Sequence, residues 1–458
     1  MEQALLELLK TANGFMWGPP MLILLFGTHV YLTFRLKFIQ KYIFKAIKLS
    51  VTSDKNSQGD VSQFAALSTA LAATIGTGNI VGVATAVAMG GPGAVLWMWL
   101  TGVFGIATKY AEGLLAVKYR VRTSDGTMLG GPMYALEKGV KAKWLAVLFC
   151  IFTSIAAFGI GCSTQANAVA GLMRSEFSIS PLVTGIIMAI AVFIVIIGGI
   201  KSIANVCEKL VPFMACFYVL GCSVILIFNA SYIGEAISLI LVSAFTPQAA
   251  GGGFVGSTIM LAARFGVARG LFSNESGLGS APIAAAAAQT RNPVRQALVS
   301  MSGTFWDTVI ICLLTGLVLV TSIIKSPAMF TGLKGGDLTS AAFGQIDIIG
   351  PAVLVFGLAT FAFSTILGWA YYGERAMEYL FGKKALLPYR LLFVIVTFLG
   401  SITAIDVVWE FADLMNALMA VPNLVSLLLL SGVIINETKK YLWEDNLEAT
   451  SEDEIEQL

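Results

Sequence analysis

The chain has 458 residues and a formal net charge of +2, with 57% hydrophobic and 12% charged residues. Soluble enzymes carry roughly twice that charged fraction. A mean hydropathy of +0.82 therefore excludes a water-soluble globular protein and makes an all-α polytopic membrane protein the expected class. The basic residues are dispersed between apolar stretches, which excludes a nucleic-acid-binding face. Cys150, Cys162, Cys207, Cys216, Cys222 and Cys312 stand in apolar surroundings without a C-x-x-C pair, and read as small buried packing residues.

A first span is expected over about Gly14 to Phe34, after a short charged start that lacks the pattern of a cleavable signal peptide. Arg35, Lys37, Lys41, Lys45, Lys48 and Lys55 follow at once, and such a cluster marks the cytoplasmic side, placing the N-terminus outside. Val61 to Gly90 crosses outward. The next span starts at Gly91-Pro-Gly, carries Trp97 and Trp99 near the interface, and returns to Lys109, Lys118, Arg120 and Arg122. A polar loop ends in Lys138, Lys141 and Lys143. Trp144 to Met173 then goes out with Gln165 and Asn167 inside it, Pro181 to Ile200 returns to Lys201 and Lys209, and Val211 to Asn229 goes out again. After the loop holding Gly251 to Phe254, a small-residue-rich segment from about Phe254 to Gln289 comes in to Arg291 and Arg295. Ala297 to Ile324 crosses outward with Asp307 within it, and 325–347 forms an external loop. Gly350 to Tyr372 comes in to Arg375, Lys383, Lys384 and Arg390. Leu391 to Ala404 leads out, Phe411 to Ile435 leads back, and the tail from Asn436 reads as a soluble, mostly acidic cytoplasmic end.

That pattern gives eleven transmembrane helices in a plasma membrane, with the C-terminus inside. The exceptions to the basic bias among the 29 Lys and Arg residues are Lys10, Arg174, Arg264, Arg269, Lys325 and Lys334. The organisation that follows is an N-terminal extra helix and linker (1–60), two five-helix halves (61–250 and 251–435) and an acidic tail (436–458). A monomer is the expected state.

Two spans have the wrong centre for a plain helix. Ile75-Gly76-Thr77-Gly78-Asn79 and the stretch from Phe272 to Gly279 put glycines and polar side chains at bilayer depth, where non-helical backbone is tolerated only if protein buries it or it lines a cavity. They fall at corresponding places of the two halves, a 5+5 inverted-repeat layout with two broken helices that points to a secondary transporter with its site at the midplane. A break exposes free N–H groups that favour a carboxylate and free carbonyls that favour a cation, and a zwitterionic amino acid with a metal ion matches both. The N–H groups of Thr77, Gly78 and Asn79 are expected at the carboxylate. Carbonyls of Ala72 and Ile75, with the hydroxyls of Ser364 and Thr365, are expected at the cation. His29, the sole histidine, lies on the extra span outside the core, so Na+ is favoured over H+.

Each of these residues has a plainer reading. Gly78 and Gly82 match a G-x-x-x-G packing motif, and Ser364 and Thr365 fit bonds to their own helix. Gln165 fits an interhelical bond as well as a site, and Trp369 and Phe272 fit packing as well as a cap on the pocket. Glu275 is expected to pair with Arg269 or Arg264, and Asp307 with one of these arginines or with a second cation near Asn79. An ion or amino-acid channel is the alternative, disfavoured because no ring of charges lines a pore. An enzyme is not expected, because no nucleophile has a base beside it.

Gly90-Gly-Pro-Gly-Ala-Val-Leu-Trp-Met-Trp-Leu-Thr-Gly-Val-Phe-Gly105, Gly76-Thr-Gly-Asn-Ile80 and Arg269-Gly-Leu-Phe-Ser-Asn-Glu-Ser-Gly-Leu-Gly-Ser-Ala-Pro282 resemble the marked segments of the alanine or glycine:cation symporter family. The resemblance covers essentially the whole chain. Leu96 stands where the family commonly has Phe, and Ser276 where it commonly has Ala, a hydroxyl that would alter the fit to substrate. The resemblance implies a fold similar to the neurotransmitter-sodium symporters and Na+-driven uptake of alanine or glycine by alternating access. It further implies that Thr77 and Gly78 bind carboxylate, that Asn79, Phe272, Asn274 and Ser276 surround the substrate, and that Ala72, Ile75, Ser364 and Thr365 hold Na+.

Overall fold

A computed structural model describes residues 2–52, 54, 57–247, 258–333, 335–403, 406–452 and 454–458; the Gly251 to Phe254 stretch and the start of the segment expected from Phe254 lie outside them. Helix starts follow local chemistry. Ser62, Ser180, Thr258 and Asn292 each accept a backbone N–H of the first turn, and Pro19, Pro181 and Pro293 open helices where a missing N–H loses no bond.

The chain begins with α1 (Glu2–Met16), α2 (Pro19–Arg35) and α3 (Ile43–Ser50). Next come α4 (Gln63–Thr74) and α5 (Val83–Gly90), then α6 (Ala94–Lys118), α7 (Lys143–Phe177), α8 (Pro181–Ile196), α9 (Gly199–Phe228) and α10 (Ala230–Ser243). After the undescribed stretch follow α11 (Ile259–Asn274), the short α12 (Pro282–Ala285), α13 (Pro293–Lys325), α14 (Gly335–Phe343) and α15 (Ile349–Phe381). The last helices are α16 (Leu386–Ile402), α17 (Asp406–Leu429) and α18 (Ser431–Thr438). Among the described residues, 7 helices are long and apolar enough to cross a bilayer, and the bent pair on either side of Gly76 makes 8. Length and apolarity alone thus carry fewer spans than the eleven expected.

Several expectations need correction. Residues 230–243 and 335–343, expected as parts of loops, are helical, because Leu338, Ala342 and Phe343 recur at helical spacing and are buried. Cys216 is exposed on α9, unlike the other five cysteines. Lys109, expected to mark the cytoplasmic end of its span, is only 4% exposed inside α6. Glu112 one turn on supplies the opposite charge, so the helix continues to Lys118. Around this point α6 packs closely on α13, with Gly102 against Thr308 and Gly113 against Ser300, the small-residue contact that lets membrane helices approach.

The tail is docked rather than free. Asn292 donates to the carbonyls of Leu447 and Ala449, both at 2.9 Å, and Arg291 and Arg295 each reach both Asp54 and Glu448. Residues Glu456–Gln457 add a parallel strand to Val121–Arg122, which itself pairs antiparallel with Met128–Leu129. The same end joins the approaches to both interruptions, since Asp60 N–H donates to Ala287 O at 2.8 Å and Gln289 N–H to Val61 O at 2.8 Å. Ending the chain at Asn446 is expected to speed amide exchange across 286–293 by about threefold to tenfold, the worth of a partly exposed charge network. Unchanged exchange would show that the tail does not hold this face.

Candidate binding site between the two breaks

The first interruption is built by side chains that replace the helix ladder. After Thr74 the backbone of Ile75 is extended (φ −77°, ψ 93°), and the chain re-enters a helical turn at Gly78–Gly82 that leads into α5, so that the two halves meet at 52°. Gly76 N–H donates to Asn79 Oδ1 at 2.8 Å, and Thr77 N–H to Gln165 Oε1 at 3.3 Å. Gly78 opens the second half, so its N–H is among the orphan donors of a helix start. Gly76 has no substitute, because a Cβ there would run into the Thr365 hydroxyl and stand 3.4 Å from Gln165 Oε1.

At the other end of the break, Ser364 Oγ lies 3.2 Å from Ala72 O and 2.9 Å from Phe361 O, and Thr365 Oγ1 lies 3.3 Å from Ile75 O and 2.9 Å from Phe361 O. Each hydroxyl has one proton and two carbonyls within reach. When both protons turn to Phe361 O, each hydroxyl oxygen faces one of the two break carbonyls with no hydrogen between them. A hard cation relieves that arrangement.

Asn79 ties this break to α13. Its amide donates to Asp307 Oδ1 at 2.6 Å, while Ser273 Oγ and Thr308 Oγ1 donate to Asp307 Oδ2 at 3.0 and 2.6 Å. Among the described residues no cationic side chain pairs with Asp307; three neutral donors take the place of the expected arginine.

The second interruption starts where Glu275 adopts a left-handed conformation (φ 54°), followed by Gly277 (φ 89°) and Gly279 (φ 86°), which only glycine takes without strain. This turn carries Glu275 away from the arginines. Ser280 Oγ donates to its carboxylate at 2.6 Å, and Trp369 bonds to it as well. Arg264 and Arg269 lie over the Phe265 and Phe272 rings, at 5.8 and 6.0 Å from the centroids.

A cavity of about 320 Å³ reaches the first break, lined there by Thr77, Gly78 and Phe272 and farther out by Arg269, Glu410 and Asp413. Gln165 joins them through its bond to Thr77. The other candidates lie deeper. Trp369 packs on Gly161 and is fully buried, Asn274 Oδ1 accepts Ser276 N–H at 2.9 Å, and Ser276 Oγ meets Thr304 Oγ1 at 3.1 Å. Asn274 Nδ2 is a buried donor with no partner among the described residues.

Two residues at the second break, Glu112 and Asn423, escape the sequence reading; Lys109 stands beside Glu112, and His29, on the extra span as expected, is fully buried and bonded through Nδ1 to Thr108 at 2.7 Å. A close approach of α2 to Gly277 brings it there. The histidine's position therefore gives no ground for excluding a proton path. The available signal was an acid and a base three residues apart within one apolar run, a pairing that intramembrane charges require.

A helix broken beside a cavity, with carbonyl and hydroxyl oxygens at one end of the break and backbone N–H groups at the other, is an arrangement suited to a helical membrane transporter. The fold is similar to that of MhsT crystallised with L-phenylalanine (TM-score 0.54, 16% identity, 83% of this chain and 98% of that one). It is also similar to a manganese transporter of Eremococcus coleocola (TM-score 0.51, 13% identity, 87% and 86%). The chain belongs to the sodium:alanine symporter family, whose description matches residues 2–456. It is 52% identical to the sodium/alanine symporter AgcS of Methanococcus maripaludis over 95% of this chain and 97% of that protein. It is 53% identical to an uncharacterised transporter of Haemophilus influenzae (98% and 99%), and 36% identical to the probable sodium/glutamine symporter GlnT of Bacillus subtilis (96% and 91%). It is thus a sodium-coupled amino-acid symporter of the membrane rather than an enzyme.

Proposed function

We propose that this chain couples Na+ entry to uptake of alanine or glycine by alternating access, with the tail end of the molecule in the cytoplasm, the N-terminus outside and eleven spans arranged as one extra helix before two inverted five-helix halves. The observation that carries the reading is the two oxygen pairs, Ser364 Oγ with Ala72 O and Thr365 Oγ1 with Ile75 O, at the carbonyl end of the same break whose other end presents Thr77 and Gly78 N–H. Na+ occupies the oxygens, and the substrate carboxylate displaces Gln165 Oε1 from Thr77 N–H. Because one short peptide joins the two positions, an ion that fixes Ile75 also fixes Thr77, and the two affinities rise together.

Phe272 closes over Gly78, where a Cβ would stand 3.3 Å from its ring. The narrow approach of Phe272 to Gly78 at the cavity favours a small substrate side chain. The relationship to both an alanine and a glutamine symporter makes size the property to test. In purified protein, binding of alanine and glycine is expected to strengthen on raising Na+, with leucine and glutamine bound far more weakly. Alanine affinity indifferent to Na+ would sink the coupling, and tight glutamine binding would sink the size argument.

A further inference from the structure

Helix α3 has a divided outer face. Its inner side, Ala46, Leu49 and Ser50, is buried and packs on the start of α13. Lys45 and Lys48 stand outward on it, with Lys41 of the preceding turn in line, and beside them are Phe44 and Val51, 81% and 71% exposed. At about 100° per residue the two apolar side chains share one edge of that face, and the three lysines fill the rest. The segment is built rather than loose. After α2 ends at Arg35, Lys37 and Phe38 both take left-handed conformations (φ 53° and 57°), which side chains other than glycine rarely adopt. Gln40 ties this turn to Thr33 Oγ1 and to Val103 O of α6, at 2.9 and 3.0 Å. Phe34 and Phe38, both exposed, meet edge to face with their ring centroids 5.2 Å apart.

From Tyr31 to Thr52 the chain has five cations, Arg35, Lys37, Lys41, Lys45 and Lys48, and no acid. All five are exposed, and among the described residues none forms an ion pair; Arg35, Lys37 and Lys41 lie over the rings of Tyr31, Trp443 and Tyr42. We propose that 34–51 is a docking surface for anionic phospholipid: Phe34, Phe38, Phe44 and Val51 enter the acyl edge of the leaflet on this side, and the five cations hold the phosphate groups. A headgroup layer sets anions and hydrocarbon side by side, which is the division that α3 displays. An acidic protein would answer the lysines and leave Phe44 and Val51 in water. A second copy of this chain would set the same five cations against each other. The inference goes beyond the transport reading and holds whichever solute is carried.

The test uses the full-length protein in nanodiscs of phosphatidylcholine alone or of phosphatidylcholine mixed with phosphatidylglycerol, and reads amide exchange of the peptide covering 38–52. Wild-type exchange is expected to be about fivefold to tenfold slower in the anionic discs, with the difference shrinking as KCl is raised. Lys41→Gln, Lys45→Gln and Lys48→Gln together, all on the exposed face, are expected to remove most of the difference, and the corresponding Lys→Arg triple to keep it. Phe44→Ser is expected to speed exchange in both kinds of disc. Equal wild-type exchange in the two lipids would overturn the proposal, as would a Gln triple that keeps the full difference. Unchanged exchange in the Phe44 variant would overturn its apolar half. Glycerol phosphate that gives the same protection in phosphatidylcholine discs would assign the cations to a soluble anion and overturn the docking. Protection that appears only when two copies share a disc would assign the face to a second copy instead.

Discussion

Asn79→Ala is expected to reduce Na+-driven alanine uptake in proteoliposomes by about a hundredfold while leaving membrane expression intact. The Asn79 side chain does two things at once: it accepts Gly76 N–H and donates to Asp307. Removing it strands a buried donor and a buried carboxylate oxygen, each worth about 1–3 kcal/mol, in a segment that has already lost its helix ladder. The loss falls on the shape of the break rather than on the bundle, whose helices pack on other residues. Uptake above a tenth of wild type would show that the break keeps its form without this amide.

Thr365→Val carries the second large effect. Valine keeps the branched shape beside Gly76 and puts a methyl group where the hydroxyl stood, so one of the oxygens is lost at nearly constant volume. Na+ affinity is expected to fall by about tenfold to a hundredfold, the scale of one removed charge-assisted contact of about 1.5–3 kcal/mol. By reciprocity the apparent alanine affinity at fixed low Na+ falls with it, and recovers as Na+ is raised. A Na+ titration of alanine binding checks both. An unshifted titration midpoint would place the ion elsewhere.

Legibility in the sequence followed the length scale of the physics. Glycines and polar groups at Gly76 to Asn79 and at Phe272 to Gly279 cannot lie on an ordinary span, so both interruptions were readable from composition and depth alone. The pairing of Ser364 and Thr365 with Ala72 and Ile75 was readable because adjacent hydroxyls and free carbonyls suit a hard cation. Partners chosen by tertiary approach were not. Glu275 turns away from the arginines because of a left-handed residue that no periodicity reveals, and Asp307 is satisfied by neutral donors brought from two other helices. Lys109 misled for a related reason: a lysine ending an apolar run reads as a boundary unless the acid three residues on is taken with it. The docked tail was also illegible, since its acidic composition is that of a solvated end, and its seat is made by Arg291, Asn292 and Arg295 and by the strand at Val121.

That seat has a bearing on how the chain matures. Residues 447–458 leave the ribosome after every helix has been made, yet they supply the bonds that fasten Asn292 and add the last strand beside Val121. This face of the newborn protein therefore stays unstitched until the segment after α18 has been made, and a product ending before it would insert the preceding helices while remaining ajar on one side. Leu458 N–H itself bonds to Arg122 O at 2.8 Å, so the closure continues through this residue and a change there loosens it.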